Sequence, residues 1–486
     1  MKNIKDILII FAISFIAFGC NLDLTPSTSI VKEDAFKTPA DAEKFFNGLT
    51  SRYRACFYGE NSYTIEVQSE YFNASLDYGN RNGAPHRMDG SFTSSDYNLE
   101  NVWIDAYNTI LNINNFLENI DKVEVKNNNE QEVINEYKGC AYLYRASIYH
   151  DLVRRYAKVY DKANASKDLG VPIVIVVDLK EKPARKTIEE VYTQIAEDIK
   201  LAKELLKGVA GVAGANTPTI DAVKALEARV ALYKQDYVTA ATISSELINS
   251  GKYTLATTEE DMINEWQMDS GKEAILQLYI DKQETSQRNN IYLGYSTTIK
   301  KYIPDFIPTK TTLELYEDND LRKQVWFKEE ISQFSATDYK LILFNKYAGN
   351  PDYETEPNRE YYQRPKIFRI GEIYLINAEA NFMSNKADLA KVSLNALQTK
   401  RGATPTEATK DNIIKEWKRE IIGEGYILDC YKRWGQGFNG RTPQNEHTIA
   451  QGSMNVKLSP TDTKIVWAIP ASERKVNPNL VGNWEN

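Results

Sequence analysis

Histidine and cysteine are scarce in this chain of 486 residues, which has 3 His and 4 Cys. His86, His150 and His447 stand in unrelated contexts, and the sequence has no HExxH, GxSxG or P-loop pattern. Behind Cys20 the cysteines are widely spaced, which excludes a disulfide scaffold and a CxxC metal or redox site. We therefore expect no enzyme activity, no metal and no cofactor. A glycosidase built on two carboxylates stays open as an alternative, because acidic pairs are abundant.

An excess of positive charge is also absent. The chain has 59 Lys and Arg against 67 Asp and Glu, a formal net charge of −8. This balance argues against nucleic acid as a partner.

Tyrosine, in contrast, is abundant, with 30 residues. A flat apolar ring with a hydroxyl suits contact with polar ligands, although packing between helices must account for most of these side chains.

Long apolar runs are missing except at the amino terminus. Lys2 and Lys5 precede an apolar run from Ile7 to Phe18, which stops at Gly19 and Cys20. Twelve residues of helix extend only about 18 Å, too short for a bilayer core of about 30 Å. We predict a signal peptide at residues 1–19, lipid attachment at Cys20 and a tether at residues 20–34. Plain secretion without a lipid is the alternative.

The remainder, residues 35–486, has mainly helical periodicity and is predicted to form one mainly α unit. Strand-like runs are few, chiefly Val171–Val177 and Ala274–Tyr279. A capping box is predicted at Thr187 and Glu190. Further helices are predicted at about residues 187–206, 221–234, 237–250, 370–383 and 388–400.

Two segments share a pattern typical of paired antiparallel helices. Ala228 and Ala240 are twelve residues apart, as are Ala378 and Ala390, and each pair flanks a turn. Small residues at such positions allow close helix approach, as in tetratricopeptide repeats. Because no tandem period continues, we predict scattered tetratricopeptide-like hairpins interrupted by long loops. Generic helical hairpins are the alternative.

Several motifs stand in order along the whole chain, at residues 20–26, 103–118, 144–156, 171–172, 198–206, 225–255, 369–380, 395–402, 434–435, 469–473 and 477–483. Together they resemble those of the SusD/RagB family of outer-membrane nutrient-uptake lipoproteins. The chain departs from the family pattern at Glu416-Trp417 and at residues 424–427, where two frequent arginines are missing. That difference puts local packing in doubt, not membership.

The resemblance implies a noncatalytic, surface-facing binding protein that acts as a lid on a SusC-like TonB-dependent transporter in the outer membrane. It implies a mainly α fold with tetratricopeptide-like helix pairs as scaffold and ligand contacts in long variable loops. For most members the ligand is a glycan, and for some it is a peptide. We therefore predict a glycan ligand, with a peptide in the same lid role as the alternative; a scaffold that binds only proteins also stays open.

The candidate ligand residues lie in two long stretches rich in Tyr, Asn and Arg. A sugar ring presents C–H faces and rim hydroxyls, which call for flat aromatic rings together with Asn, Asp or Arg. The alternative for each residue is packing against its own loop. The candidates are Tyr71, Tyr78, Asn80, Arg81, His86, Arg288, Asn290, Tyr292 and Tyr295.

Overall fold

A computed structural model describes residues 36–285, 288–354 and 360–484. The predicted signal peptide, Cys20 and the predicted tether lie outside these residues. The fold is mainly α, as predicted. In chain order the helices are α1 Pro39–Cys56, α2 Glu60–Glu66, α3 Gly83–Arg87, α4 Tyr97–Asn119, α5 Asn128–Tyr156, α6 Ile188–Leu205, α7 Ile220–Tyr233, α8 Tyr237–Asn249, α9 Glu259–Trp266, α10 Lys310–Leu313, α11 Leu321–Trp326, α12 Ile370–Met383, α13 Ala387–Lys400, α14 Lys410–Glu420, α15 Ile427–Trp434 and α16 Ala471–Val476.

The long helices form a continuous array in which each packs against its neighbour: α1 on α4 and α5, α5 on α6, α6 on α7, α7 on α8, α8 on α12, and α12 on α13 and α14. The apolar faces of these helices form one core that runs from Phe36 to Leu480. The predicted capping box is confirmed: Thr187 Oγ1 accepts from Glu190 N at 3.2 Å, and Glu190 Oε2 accepts from Thr187 N at 2.8 Å.

Both predicted helical hairpins are confirmed, as α7–α8 and α12–α13. Ala228, Ala240, Ala378 and Ala390 are fully buried, which is the close approach that their spacing predicted. The two hairpins also pack on each other. Asn377 on α12 donates to the carbonyl oxygen of Ala241 at 3.1 Å and to Ser244 Oγ at 2.8 Å, both on α8. These pairs therefore form one scaffold.

Short strands join the loops to this scaffold. The strands are β1 Phe72–Ala74, β2 Ala274–Gln277, β3 Tyr295–Ser296, β4 Lys301–Tyr302, β5 Phe306–Pro308, β6 Phe327–Phe334, β7 Thr337–Phe344, β8 Lys366–Arg369, β9 Phe438–Asn439 and β10 Lys457–Leu458. β1 pairs with β5, β2 with β8 and β9 with β10, all antiparallel, and one sheet has the order β3-β4-β6-β7. This sheet covers a second, smaller core that includes Leu293, Phe334 and Leu343.

The predicted strand at Val171–Val177 is wrong, because this segment pairs with no strand. The Val171 carbonyl oxygen accepts from the backbone N–H of Lys186 at 3.1 Å, and the other bonded backbone groups of the segment pair with side chains. Tyr149 Oη donates to the carbonyl oxygen of Val174 at 2.8 Å and accepts from its N–H at 2.7 Å, while Tyr107 Oη donates to the carbonyl oxygen of Pro172 at 2.9 Å. This extended apolar run thus forms backbone hydrogen bonds although it belongs to no sheet.

A buried arginine–glutamate cluster holds the carboxyl-terminal helices together. Glu420 on α14 accepts from Arg369 at 2.5 Å, from Arg401 at 2.6 Å and from Arg322 at 2.9 Å. Burial alone would raise the pKa of the Glu420 carboxyl, but the three guanidinium groups hold that pKa well below its usual value. The other acidic members, Glu273 and Glu416, pair with Arg401 and Arg322 at 2.6 Å each.

The hairpin of β6 and β7 has a strained turn. Its two central residues, Ser335 and Ala336, have φ of 48° and 64°, in the region that favours Asn and Gly. We expect Ala336→Gly to raise the free energy of unfolding by about 1 kcal/mol. Glycine removes the strain of a side chain at positive φ, and this gain exceeds the cost of the extra conformational entropy that glycine gives the unfolded chain. Urea unfolding measures the change. Ala163, in an exposed turn with ordinary φ, is the control, and Ala163→Gly should give no gain. An Ala336→Gly protein no more stable than the native one would contradict the strain.

Candidate functional site

Tyr97 is the most exposed aromatic side chain in the described ranges, at 55%. It is the first residue of α4, directly after the N-cap Asp96, whose carboxylate accepts from Asn98 N at 3.0 Å and from Leu99 N at 3.3 Å. The cap fixes the helix start and therefore the place where this ring meets solvent. Another exposed tyrosine, Tyr279, at 40%, donates to Asp281 at 2.7 Å.

A second ring, that of Tyr63 on α2, lies close to Tyr97 and is half-buried. The pKa of Tyr63 is raised, first by burial, then by the charges of Glu60 and Asp305 and by the neighbouring Tyr97 hydroxyl. Two helix segments distant in sequence therefore bring two tyrosines and an aspartate together. Sequence reasoning did not select either ring, although Tyr97 ends the first long tyrosine-containing stretch.

Arg81 and Asp305 join the two predicted ligand loops. Arg81 Nε donates to Asp305 Oδ2 at 2.7 Å, and a second bond links Nη2 to Oδ1. The Asp305 carboxylate is nearly buried, whereas the Arg81 side chain is 58% exposed. Bidentate pairing fixes the guanidinium plane and leaves N–H groups directed to solvent. The pKa of Arg81 is raised, chiefly by this hydrogen bond.

Tyr78 and Asn80 lie on the same loop as Arg81. Tyr78 is half-buried, with its ring edge-on to Phe306 at 6.2 Å, and Asn80 is exposed. Arg87 Nη1 donates to Asn80 Oδ1 at 2.7 Å and to Tyr78 Oη at 3.0 Å, so both polar groups are held in place. The structure therefore brings together three of the predicted residues of the first loop.

The second of the two predicted ligand stretches contains a hairpin, residues 291–305, of which only one end reaches this surface. Asp305 N donates to the carbonyl oxygen of Ile291 at 2.9 Å, which places the exposed Asn290 beside the Arg81–Asp305 pair. Tyr295 lies four residues further along, toward the other end, where it pairs with Tyr302. Arg288 is elsewhere, with its guanidinium 5.4 Å from the centre of the Tyr362 ring.

Three predicted residues are enclosed in the interior, and this corrects the expectation that they face a ligand. Tyr71 and Tyr292 are fully buried, and Tyr71 Oη donates to the carbonyl oxygen of Lys418 at 2.8 Å. His86 contacts Ser453 Oγ at 2.8 Å, and burial followed by the charge of Arg441 lowers its pKa well below the usual value. A ligand on the surface would not reach these rings, because packing encloses all three and hydrogen bonds also hold Tyr71 and His86.

We name this assembly of exposed and half-buried side chains, with the nearly buried Asp305, the tyrosine surface; it comprises Tyr63, Tyr78, Asn80, Arg81, Tyr97, Asn290 and Asp305. It combines aromatic rings with a fixed guanidinium, a carboxylate and two amides. Apolar C–H faces can lie on the rings while hydroxyl or amide groups bond to the polar side chains. Within residues 36–285, 288–354 and 360–484, no cluster of three or more His, Cys, Asp or Glu side chains is arranged to hold a metal ion.

Two family models match the chain. Residues 22–232 match a family described as starch-binding and associating with the outer membrane, and residues 335–485 match the SusD family. A curated SusD-like protein of Formosa agariphila is 24% identical, over 99% of both chains.

Solved structures share the fold. A SusD superfamily protein of Bacteroides thetaiotaomicron superposes with a TM-score of 0.77 at 23% identity, over 92% of this chain and 100% of that one. A SusD-like carbohydrate binding protein of Bacteroides vulgatus gives 0.74 at 22% identity, over 92% and 98%. A putative sugar binding protein of the same organism gives 0.73 at 23% identity, over 93% and 99%.

Proposed function

The chain belongs to the SusD/RagB family, and from this premise we propose that it binds oligo- or polysaccharide at the cell surface and delivers it to a SusC-like TonB-dependent transporter. The family supports a role in carbohydrate binding and nutrient uptake at the outer membrane. The transporter is the proposed partner. We propose further that the protein binds its ligand without cleaving it.

The observation that carries the choice of a glycan is the geometry of the tyrosine surface. The Tyr63 hydroxyl interacts electrostatically with both the Tyr97 hydroxyl and the Asp305 carboxylate. Two hydrogen bonds fix the Arg81–Asp305 pair beside Tyr63. A sugar needs this combination, since one face of each ring is apolar and its rim carries hydroxyls that both donate and accept. Little side-chain entropy remains to be lost on binding, because the pair is already ordered.

Isothermal titration of the soluble protein, residues 21–486, tests the proposal. The ligands are a panel of neutral and acidic polysaccharides with their oligosaccharides, and in parallel a mixture of oligopeptides. Saturable binding of at least one glycan is expected, with no release of reducing ends on prolonged incubation. Saturable binding of oligopeptides without any response to a glycan would contradict the glycan proposal. The ligand would then be a peptide, in the same delivery role.

Attachment to the membrane is proposed to depend on lipid at Cys20. No helix in the described ranges is long and apolar enough to cross a bilayer. We expect Cys20→Ser to move the protein from the membrane fraction to the soluble fraction, because the thiol that carries the lipid is gone, while glycan affinity stays unchanged. Cell fractionation and immunoblotting measure this. Ser27→Ala, in the same segment, is the control, and full membrane retention of Cys20→Ser would contradict the anchor.

A further inference from the structure

A polar groove lies at the far end of the 291–305 hairpin, where Tyr295, Thr297 and Lys300 line it. It has a volume of about 780 Å³ and runs between α9, α11 and the segment 345–351. That volume falls within the range of about 300–1,000 Å³ found for ligand clefts. We name it the amide groove, after the side chains of Gln267, Gln324 and Asn345 in its wall.

The three side-chain amides have oxygen or nitrogen atoms that are not used in hydrogen bonds among the described residues. Gln324 Nε2 donates to the carbonyl oxygen of Asp318 at 3.3 Å, and Asn345 Nδ2 donates to that of Val325 at 3.2 Å. In the part of the chain that the structure describes, neither side-chain oxygen accepts a hydrogen bond, and the Gln267 side chain makes none. Each amide can therefore accept from a ligand, and Gln267 can donate as well.

The rest of the wall favours a neutral ligand with apolar faces. The rings of Tyr295 and Phe327 line the groove, and its charged side chains balance, with Lys300 and Lys328 against Glu259 and Glu354. An anionic polymer would find no excess of positive charge there. Amides match hydroxyl groups, since both can donate and accept.

We propose that the amide groove is a second saccharide site, so that a glycan chain binds there and at the tyrosine surface together. This inference rests on the proposed function. Tyr295 lies four residues along the hairpin from Ile291, which is next to the tyrosine surface, so we expect a chain of several sugar units to contact both sites. Joining two weak sites on one polymer raises the overall affinity by about 10² to 10⁴ without any new contact.

The test compares a polysaccharide with its own short oligosaccharide. Amylopectin, pullulan, xylan, laminarin and galactan are the probes, and affinity electrophoresis identifies those that retard the native protein. The double variant Gln267→Ala/Gln324→Ala removes two partly exposed amides; Gln131→Ala/Gln283→Ala, at two exposed glutamines, is the matched control. Thermal unfolding confirms that both variants fold.

We expect the groove variant to bind the polysaccharide at least about tenfold more weakly, with the control unchanged, because two hydrogen bonds and the gain from two-site binding are lost. We expect a di- or trisaccharide to be too short to contact both sites. In titrations with it, the groove variant should bind with native affinity, whereas Tyr97→Ala should bind more weakly. Native affinity of the groove variant for the polymer, alongside weakened binding by Tyr97→Ala, would overturn the second site and leave the proposed function standing. Absence of any glycan binding by the native protein would overturn both the second site and the proposed function.

Discussion

Replacing Glu420 by alanine is expected to lower the free energy of unfolding by about 4 kcal/mol, the usual cost of breaking a buried ion pair. Glu420 is fully buried and accepts hydrogen bonds from Arg322, Arg369 and Arg401, so its removal leaves three buried guanidinium groups short of negative charge. Each arginine keeps another acidic partner, which limits the loss.

Urea unfolding of Glu420→Ala measures this loss. Glu407→Ala is the matched control, because Glu407 also pairs with a cation, Lys391 at 2.5 Å, but is exposed to solvent. Exposed pairs contribute about 0–1 kcal/mol, so the control should be nearly as stable as the native protein. A Glu420→Ala protein that loses less than 1 kcal/mol would show that the cluster does not hold the carboxyl-terminal helices together.

Tyr97→Ala is expected to weaken glycan binding about tenfold. Covering about 55 Å² of ring surface at about 25 cal/mol per Å² corresponds to roughly 1.4 kcal/mol, or a factor of ten in the dissociation constant. Tyr97→Phe keeps the ring and should retain most of the affinity. Stability should change little in either variant, because more than half of this side chain is exposed.

Isothermal titration with the best glycan of the panel measures the effect. Tyr279→Ala is the matched control, since Tyr279 is the other exposed tyrosine and its neighbours, Asp281 and Arg364, belong to a different part of the surface. Equal losses in the two variants, or none in Tyr97→Ala, would remove the tyrosine surface from the binding site.

Helix placement followed from local signals, which explains why it was predicted well. The capping box at Thr187 and the paired alanines of α7–α8 and α12–α13 depend on residues close in sequence, and the structure confirms them. The β6–β7 hairpin was not predicted, because its turn residues Ser335 and Ala336 lack the Asn-Gly signal of a tight hairpin. Its strands are defined by pairing with each other and by the small core beneath.

Burial of the loop aromatics could not be predicted from composition. Tyr71 and Tyr292 lie in stretches rich in polar residues, yet long-range packing encloses them; Tyr292 lies 5.1 Å from Phe344, far away in sequence. Conversely, Tyr97 is exposed because Asp96 starts the helix there, a local signal that composition alone does not weigh. The partnership of Arg81 with Asp305 joins positions 224 residues apart and needs the folded chain.

The buried glutamates are paired without the two arginines missing from the family pattern, although Trp417 Nε1 and Tyr426 Oη, in those two segments, are buried without a hydrogen-bond partner among the described residues. Glu416 and Glu420 find their partners on other elements, in Arg322 and Arg401. Trp417 is buried, and the Tyr426 ring lies under the Arg229 guanidinium at 5.4 Å. In these two segments aromatic rings therefore fill space in the interior, and arginines from other elements supply the positive charge.

A crystal structure of the protein with the glycan that binds best tests the central claim most directly. The account predicts sugar rings against Tyr97 and Tyr63, with sugar hydroxyls within about 3 Å of the Arg81 guanidinium or the Asp305 carboxylate. For a long chain it predicts further sugar units in the amide groove. A glycan bound with Tyr63, Tyr97 and Arg81 all left in solvent would contradict the account.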